Sequence, residues 1–226
     1  MEWVSSGRSR SCPESSYGPG SPSSAAAIDT VQPRTCVTGP ASVGGRDRLR
    51  LFVGLRLPDE PLERLLAWQR EHLPESPSVR IVPRGNLHVT LAFLGSCPAT
   101  DVESIGAALR ESAADAGPLL LNPSRYRETR SVGMIVFDDE EGRGARLTEA
   151  IWERLERLGV YERERREWLA HVTVVRFRQR PRLVPPPPDL GPLSPSEVAL
   201  YHSVLQPSGA RYEILESVAL GGLRLD

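Results

Sequence analysis

Two short stretches carry side chains that could do acid–base work, Leu87-His88-Val89-Thr90-Leu91 and Ala170-His171-Val172-Thr173-Val174. Each reads His-x-Thr within an apolar run of strand character. Side chains alternate across a strand, so His88 and Thr90 share one face, as do His171 and Thr173, while Val89, Leu91, Val172 and Val174 turn to the core. Brought side by side, the four polar groups offer two imidazoles and two hydroxyls about a pseudo-twofold axis. Such a set suits displacement at a phosphodiester. One imidazole takes a proton from the attacking water, the other protonates the departing oxygen, and the hydroxyls hold the non-bridging oxygens. Imidazoles of pKa about 6.5 can be neutral at one site and protonated at the other, so a bell-shaped rate profile is expected. The scheme needs no metal.

The rest of the composition narrows the alternatives. The other two of the four histidines, His72 at a helix end and His202 in Tyr201-His202-Ser203, lack the motif and stay outside the site. A zinc site would need at least a third ligand, and no spacing of His, Cys or carboxylates supplies one beside His88 and His171. All 28 basic residues are arginine, which excludes Schiff-base, P-loop and nucleophilic lysines. With 29 acidic residues and a net charge of -1, the chain has no bulk attraction for polyanions, so a phosphate must be held locally. Cys12, Cys36 and Cys97 show neither CxxC spacing nor the density of a secreted scaffold, which fits a reducing cytoplasm. No stretch approaches the ~18 apolar residues of a membrane span.

The elements that must position the motifs follow from hydrophobic period. Residues 1–47, rich in Ser, Gly, Pro and Ala, are expected to form a disordered leader to a domain at 48–226. Alternation from Leu49 to Leu57 predicts a half-buried strand, and Pro58-Asp59-Glu60-Pro61 starts a helix carrying Leu62, Leu65, Leu66, Gln69 and Leu73. Strands are expected at 79–82, 86–94 and 171–177, with short apolar runs at 119–121 and 132–137. Helices are expected near 100–115 and 143–158. Pro185 to Pro188 form a polyproline linker that cannot join a sheet, and 198–205 with 211–220 form a hairpin. The whole reads as an α+β or α/β domain with helices on one face of a sheet and the site on the other. Strict alternation also buries Phe93 opposite His88, sets Phe52 on the polar face as the better base-stacking candidate, and turns Arg176 away from His171 unless the strand bulges. Arg125, Arg127 and Arg130 form either a phosphate patch or a solvated surface.

These blocks resemble the 2H phosphoesterases, in particular the bacterial and archaeal RNA 2′,3′-cyclic phosphodiesterases once named 2′-5′ RNA ligases. RLFVGLRLP at Arg50–Pro58, NLHVTLAFLG at Asn86–Gly95, AHVTVVRFR at Ala170–Arg178 and LYHSVLQPSGARY at Leu200–Tyr212 fall in that family's order over about residues 48–220. The resemblance implies a bilobal α+β fold, two pseudo-symmetric lobes of mainly antiparallel strands with flanking helices around a central cleft. It implies opening of 2′,3′-cyclic phosphates at RNA 3′ ends to 2′-phosphates, reversible as 2′-5′ ligation. His88 would be the proton donor to the leaving 3′ oxygen, His171 the proton acceptor on water, and Thr90 and Thr173 the phosphate-binding pair. No cofactor, metal, membrane or obligate protein partner is expected, and the chain is expected to work as a cytoplasmic monomer in RNA processing. A small cyclic nucleotide, an ADP-ribose cyclic phosphate, or RNA-end binding without catalysis are the alternatives. Two departures stand out: Val174-Val175 precede Arg176 where the family has Leu-Ala, and Ser124-Arg125-Tyr126-Arg127 replaces the family's usual Gly-x-Phe.

Overall fold

The computed structural model describes residues 47–221 apart from 75 and 208. The expected leader, residues 1–47, lies outside the described residues except for Asp47. The chain runs β1 (Arg48–Arg56), α1 (Asp59–His72), β2 (Val79–Ile81), β3 (His88–Pro98), α2 (Val102–Ala114), β4 (Asn122–Glu128), β5 (Val132–Asp138), α3 (Arg143–Arg157), β6 (His171–Phe177), β7 (Glu197–Gln206) and β8 (Gly209–Ala219). One sheet holds the strands in the order β4-β5-β6-β3-β1-β7-β8, with β2 added against β6. Every pairing is antiparallel, which decides for α+β over α/β.

The sheet has two halves. β4, β5, β6 and β2 form one, and β3, β1, β7 and β8 the other; they join at a single residue pair, Val89 with Val172. A row of apolar residues crosses this junction on the helix-covered face, Ile135, Val172, Val89, Leu55 and Val198, each fully buried. The helices meet that face with the residues their periodicity selected, Leu62 and Leu65 from α1, Ile105 and Leu109 from α2, and Leu147, Ile151 and Leu155 from α3. Burying each such side chain stabilises the fold by roughly 1.5–3 kcal/mol. Asp59 and Glu60 in the first turn of α1 and Arg70 and His72 in its last suit the helix dipole, which accounts for His72 without any site.

One local expectation is corrected. The Leu119–Leu121 run is not a strand: its leucines are buried or half-exposed loop, with Leu121 bridging Leu193, and the edge strand is the polar β4 that follows. A solvated edge needs few apolar residues, and charged side chains there discourage pairing with other chains. The 185–188 prolines form no strand, as expected, and act as a strap over α1, where Trp68 Nε1 donates to the Pro186 carbonyl at 2.9 Å. No helix among the described residues is long and apolar enough to cross a membrane.

Candidate active site

The face of the sheet away from the helices carries both motifs. With Val89 level with Val172, the antiparallel register sets His88 opposite Thr173 and Thr90 opposite His171, so the motifs lie head to tail across the junction. Each imidazole is anchored in the same way. His88 Nδ1 donates to the Asn86 carbonyl at 2.9 Å, and His171 Nδ1 donates to the Leu169 carbonyl at 2.8 Å. A carbonyl only accepts, so Nδ1 carries the proton in both rings and each Nε2 faces the cleft with its lone pair. On His88 that lone pair accepts from the Thr90 hydroxyl at 3.0 Å. Asn86 is itself tied down, its side-chain amide donating to the Ala210 carbonyl at 2.7 Å.

Both imidazoles titrate below the ordinary range. Burial pushes His88 from 6.5 down to about 4; the Asn86 carbonyl works against this, and the charges of His171 and Arg176 add to it. His171 is lowered as well, first by burial, opposed by the Leu169 carbonyl, and further by Arg166 and Arg127. In the empty cleft both rings are therefore neutral at pH 7, and the surrounding arginines favour an anion.

Each motif strand bulges just beyond its threonine. In β3 the register against β1 skips Leu91, and in β6 the register against β5 skips Val174. Leu91 and Ala92 are both buried, as are Val174 and Val175, so the alternation loses a step and the next residue returns to the cleft face. That residue is Phe93 in β3 and Arg176 in β6. Phe93, expected to be buried, is 39% exposed, and Arg176, expected to point away unless a bulge intervened, acts electrostatically on His88. Carbonyls at the bulges accept hydrogen bonds from side chains under the sheet, the Val174 carbonyl in addition to the Val82 amide at 3.0 Å. Trp152 Nε1 of α3 donates to the Leu91 carbonyl at 2.9 Å, and Gln69 Nε2 of α1 donates to the Val174 carbonyl at 2.8 Å. Trp168 Nε1 caps the Thr90 carbonyl at 2.9 Å.

The stacking candidate from alternation is also corrected. Phe52 is 2% exposed, because β1 is the central strand of its half and is covered on both faces. Its ring stacks on Tyr201 at 4.7 Å and 6° and lies 4.7 Å from His88, with Tyr212 edge-on to both. Phe52 thus floors the His88 pocket, and Phe93 and Tyr212 remain at its surface. Gly54 is a site residue that alternation did not single out. A Cβ there would lie 2.9 Å from the Val89 carbonyl and 3.1 Å from His88 Cδ2, so only glycine lets the imidazole lie against β1. The signal was available as a lone glycine inside an apolar strand.

His202 pairs with Glu213 at 3.8 Å on β7 and β8 and takes no part in the cluster. Among the described residues no three His, Cys, Asp or Glu side chains group closely enough to hold a metal ion. Chemically, this face offers two lone-pair imidazoles, two hydroxyls and a guanidinium, donors and acceptors suited to an anion.

The family model described as LigT like Phosphoesterase matches residues 55–122, which hold α1 and the first motif. The RNA 2′,3′-cyclic phosphodiesterase of Escherichia coli is 27% identical over 172 residues, spanning 76% of this chain and 96% of that protein. A crystal structure of a Thermus thermophilus protein superposes with a TM-score of 0.66 at 27% identity, over 77% of this chain and 100% of that one. The apo crystal structure of Escherichia coli LigT does so with a TM-score of 0.66 at 24% identity, over 78% and 99%, and shares the fold.

Proposed function

We propose, from the premise that this chain belongs to the LigT-like phosphoesterases, that it opens 2′,3′-cyclic phosphates at RNA 3′ ends to 2′-phosphates without a metal. His171 Nε2 takes a proton from water as the water oxygen bonds to phosphorus. The bond from phosphorus to the 3′ oxygen breaks, and His88, protonated on Nε2, gives that oxygen its proton. Thr90, Thr173 and Arg176 hold the non-bridging oxygens and stabilise their growing charge. The phosphodiester brings a negative charge to two imidazoles that are neutral in the empty cleft, so one proton is taken up on binding and resides on His88. Microscopic reversibility exchanges the two roles and yields 2′-5′ ligation. The RNA enzyme of Escherichia coli, similar over most of this chain, supports the substrate class. A cytoplasmic monomer acting on ends released by RNA cleavage fits this reading.

The observation that carries it is the matched anchoring of His88 and His171, each Nδ1 fixed by a carbonyl two residues before it so that both Nε2 atoms face one cleft. The test is turnover of a short RNA ending in a 2′,3′-cyclic phosphate, with EDTA present, by wild type, His88→Ala and His171→Ala. A 2′-phosphate product made by wild type and lost in both variants is expected. Turnover unchanged in either variant refutes the assignment, and loss with EDTA refutes metal independence. An inactive wild type moves the function to a small cyclic phosphate or to binding alone.

A further inference from the structure

The two halves of the sheet present different charge to whatever leaves the cleft. In the half beyond His88, Arg56, level with His88 on the cleft face, is neutralised by Glu197. Glu213 sits beside His202 and Arg211. Beyond His171 the pattern reverses. Across β5 to the edge strand β4, His171 is level with Val136 and Arg125, and Thr173 with Met134 and Arg127, so both arginines stand on the cleft face in the rows of the second motif. Among the described residues neither Arg125 nor Arg127 forms an ion pair, and the one carboxylate on their strand, Glu128, is taken by Arg180 at 2.9 Å and by the Tyr126 hydroxyl at 3.1 Å. Arg127 is near enough for its charge to depress the His171 pKa.

The same two arginines open onto a groove of about 520 Å³ at the outer edge of β4, walled by Arg180, Val184, Pro185 and Pro187. Val184 is 95% exposed there, an apolar side chain with no core to join. Strands lie about 4.8 Å apart, so Arg125 and Arg127 rise roughly 10 Å from β6, a gap that one nucleotide of backbone and an arginine side chain can span. Two unpaired guanidiniums in line with a phosphate site, ending in a groove of nucleoside size, are the elements of a track for a polynucleotide phosphate backbone.

We infer that Arg125 and Arg127 form a second phosphate subsite, which binds the phosphodiester 5′ to the reacting end and makes this chain act on oligoribonucleotides in preference to mononucleotides. The upstream nucleoside rests in the groove against Val184 and the prolines. This rests on the reading of the cleft given above.

The experiment compares kcat/KM for adenosine 2′,3′-cyclic phosphate and for an adenosine trinucleotide bearing the same end, in wild type, Arg125→Gln/Arg127→Gln and Arg125→Lys/Arg127→Lys. Wild type is expected to favour the trinucleotide about ten-fold, through KM, and the advantage should fall about three-fold as salt rises from about 50 to about 200 mM, as neutralising one further phosphate requires. The glutamine variant should treat both substrates alike, and the lysine variant should keep most of the preference. Equal use of both substrates by wild type overturns the subsite and leaves the phosphodiesterase standing. A preference that survives in the glutamine variant overturns the assignment to these arginines. No turnover of either substrate removes the phosphodiesterase reading and the subsite with it.

Discussion

In β3 the imidazole of His88 lies on a floor of Phe52 and Tyr201 with Tyr212 against its edge, and the Thr90 hydroxyl closes its Nε2. In β6 the imidazole of His171 stands among the charges of Arg127 and Arg166, with Arg176 one bulge further along the strand. The backbone treats the two alike, down to the Nδ1 anchor and the bulge after the threonine, while the surroundings do not. The aromatic side makes protonation costly and holds a proton weakly once it is there, which suits a donor to a departing alkoxide. The cationic side keeps its imidazole neutral and draws the anion, which suits a base.

Truncating each histidine gives the largest effect and asks whether the halves really differ. His88→Ala and His171→Ala should each lower turnover of a cyclic phosphate end by about 10²–10⁴-fold, and the double variant should be little worse than either. The two part company on a phosphodiester with a nitrophenolate leaving group, which needs no proton. There His88→Ala should recover most of its rate and His171→Ala none. Equal rescue of both would erase the distinction between acid and base.

Gly54→Ala comes next, since it strikes one half only. The added Cβ must displace the Val89 carbonyl or the His88 ring, and a misplaced imidazole costs about 10²-fold in kcat/KM. Met134, level with Thr173 in the other half as Gly54 is level with Thr90, has no such constraint, and Met134→Ala should be felt mainly in stability. Comparable loss of turnover in both variants would mean that close packing against the ring is not what glycine provides.

The pH dependence of stability measures the aromatic floor directly. His88 titrates near 6.5 when unfolded and at about 4 in the fold, so between these values the unfolded chain binds a proton that the native chain does not. Stability is then full above 6.5 and declines as the pH falls, by about 2 kcal/mol at pH 5. His88→Ala should remove this contribution, so that denaturant unfolding of the variant at pH 5 and pH 7 differs less than that of wild type by about that amount. His171→Ala should act in the same direction. An unchanged pH slope in His88→Ala would show that its imidazole is not buried neutral. The lowered titration of His171, the base, places the acid limb of kcat/KM below the ordinary imidazole range, and phosphate binding should be accompanied by proton uptake, measurable by calorimetry in buffers of different ionisation enthalpy.

Much of this arrangement was legible in the sequence. The helical faces of α1, α2 and α3, the β7–β8 hairpin and the shared face of each His-Thr pair follow from periods of 3.6 and 2. The failures cluster where a period-2 count breaks. One unmarked residue, Leu91 in β3 or Val174 in β6, shifts everything after it to the opposite face, so Phe93 faces the cleft against the period-2 count, and Arg176 reaches it through the bulge that its reading required. Both bulged residues are ordinary strand formers, and nothing local announces them. β4 was missed for another reason: an edge strand with a solvated face carries Arg125, Tyr126 and Arg127 in place of an apolar run. Phe52 was misjudged because alternation assumes one wet face, and a central strand covered on both has none.

The bulges are held from below, which yields the smallest and most specific test. Gln69 is 2% exposed, and its amide donates to the carbonyls of Val174 and Val82 at 2.8 and 3.1 Å. Leucine in its place removes the second donor to the Val174 carbonyl, which keeps the Val82 amide, and the donor to the Val82 carbonyl, at a stability cost of about 1 kcal/mol. If the bond also keeps the β6 bulge in register, Arg176 drifts and kcat/KM falls by about ten-fold. A purely structural glutamine would give the first effect without the second. The cycle with Arg176→Gln separates them: Gln69→Leu should still lower stability in that background but should no longer lower kcat/KM, because the guanidinium it positions is gone. Trp152→Phe, which removes the donor to the Leu91 carbonyl, is the matching change in the other half. It should disturb Phe93 and leave inhibition by inorganic phosphate unchanged, whereas Gln69→Leu should weaken that inhibition. Additive losses of kcat/KM for Gln69→Leu and Arg176→Gln would mean that the helix beneath β6 supports the sheet without aiming the arginine.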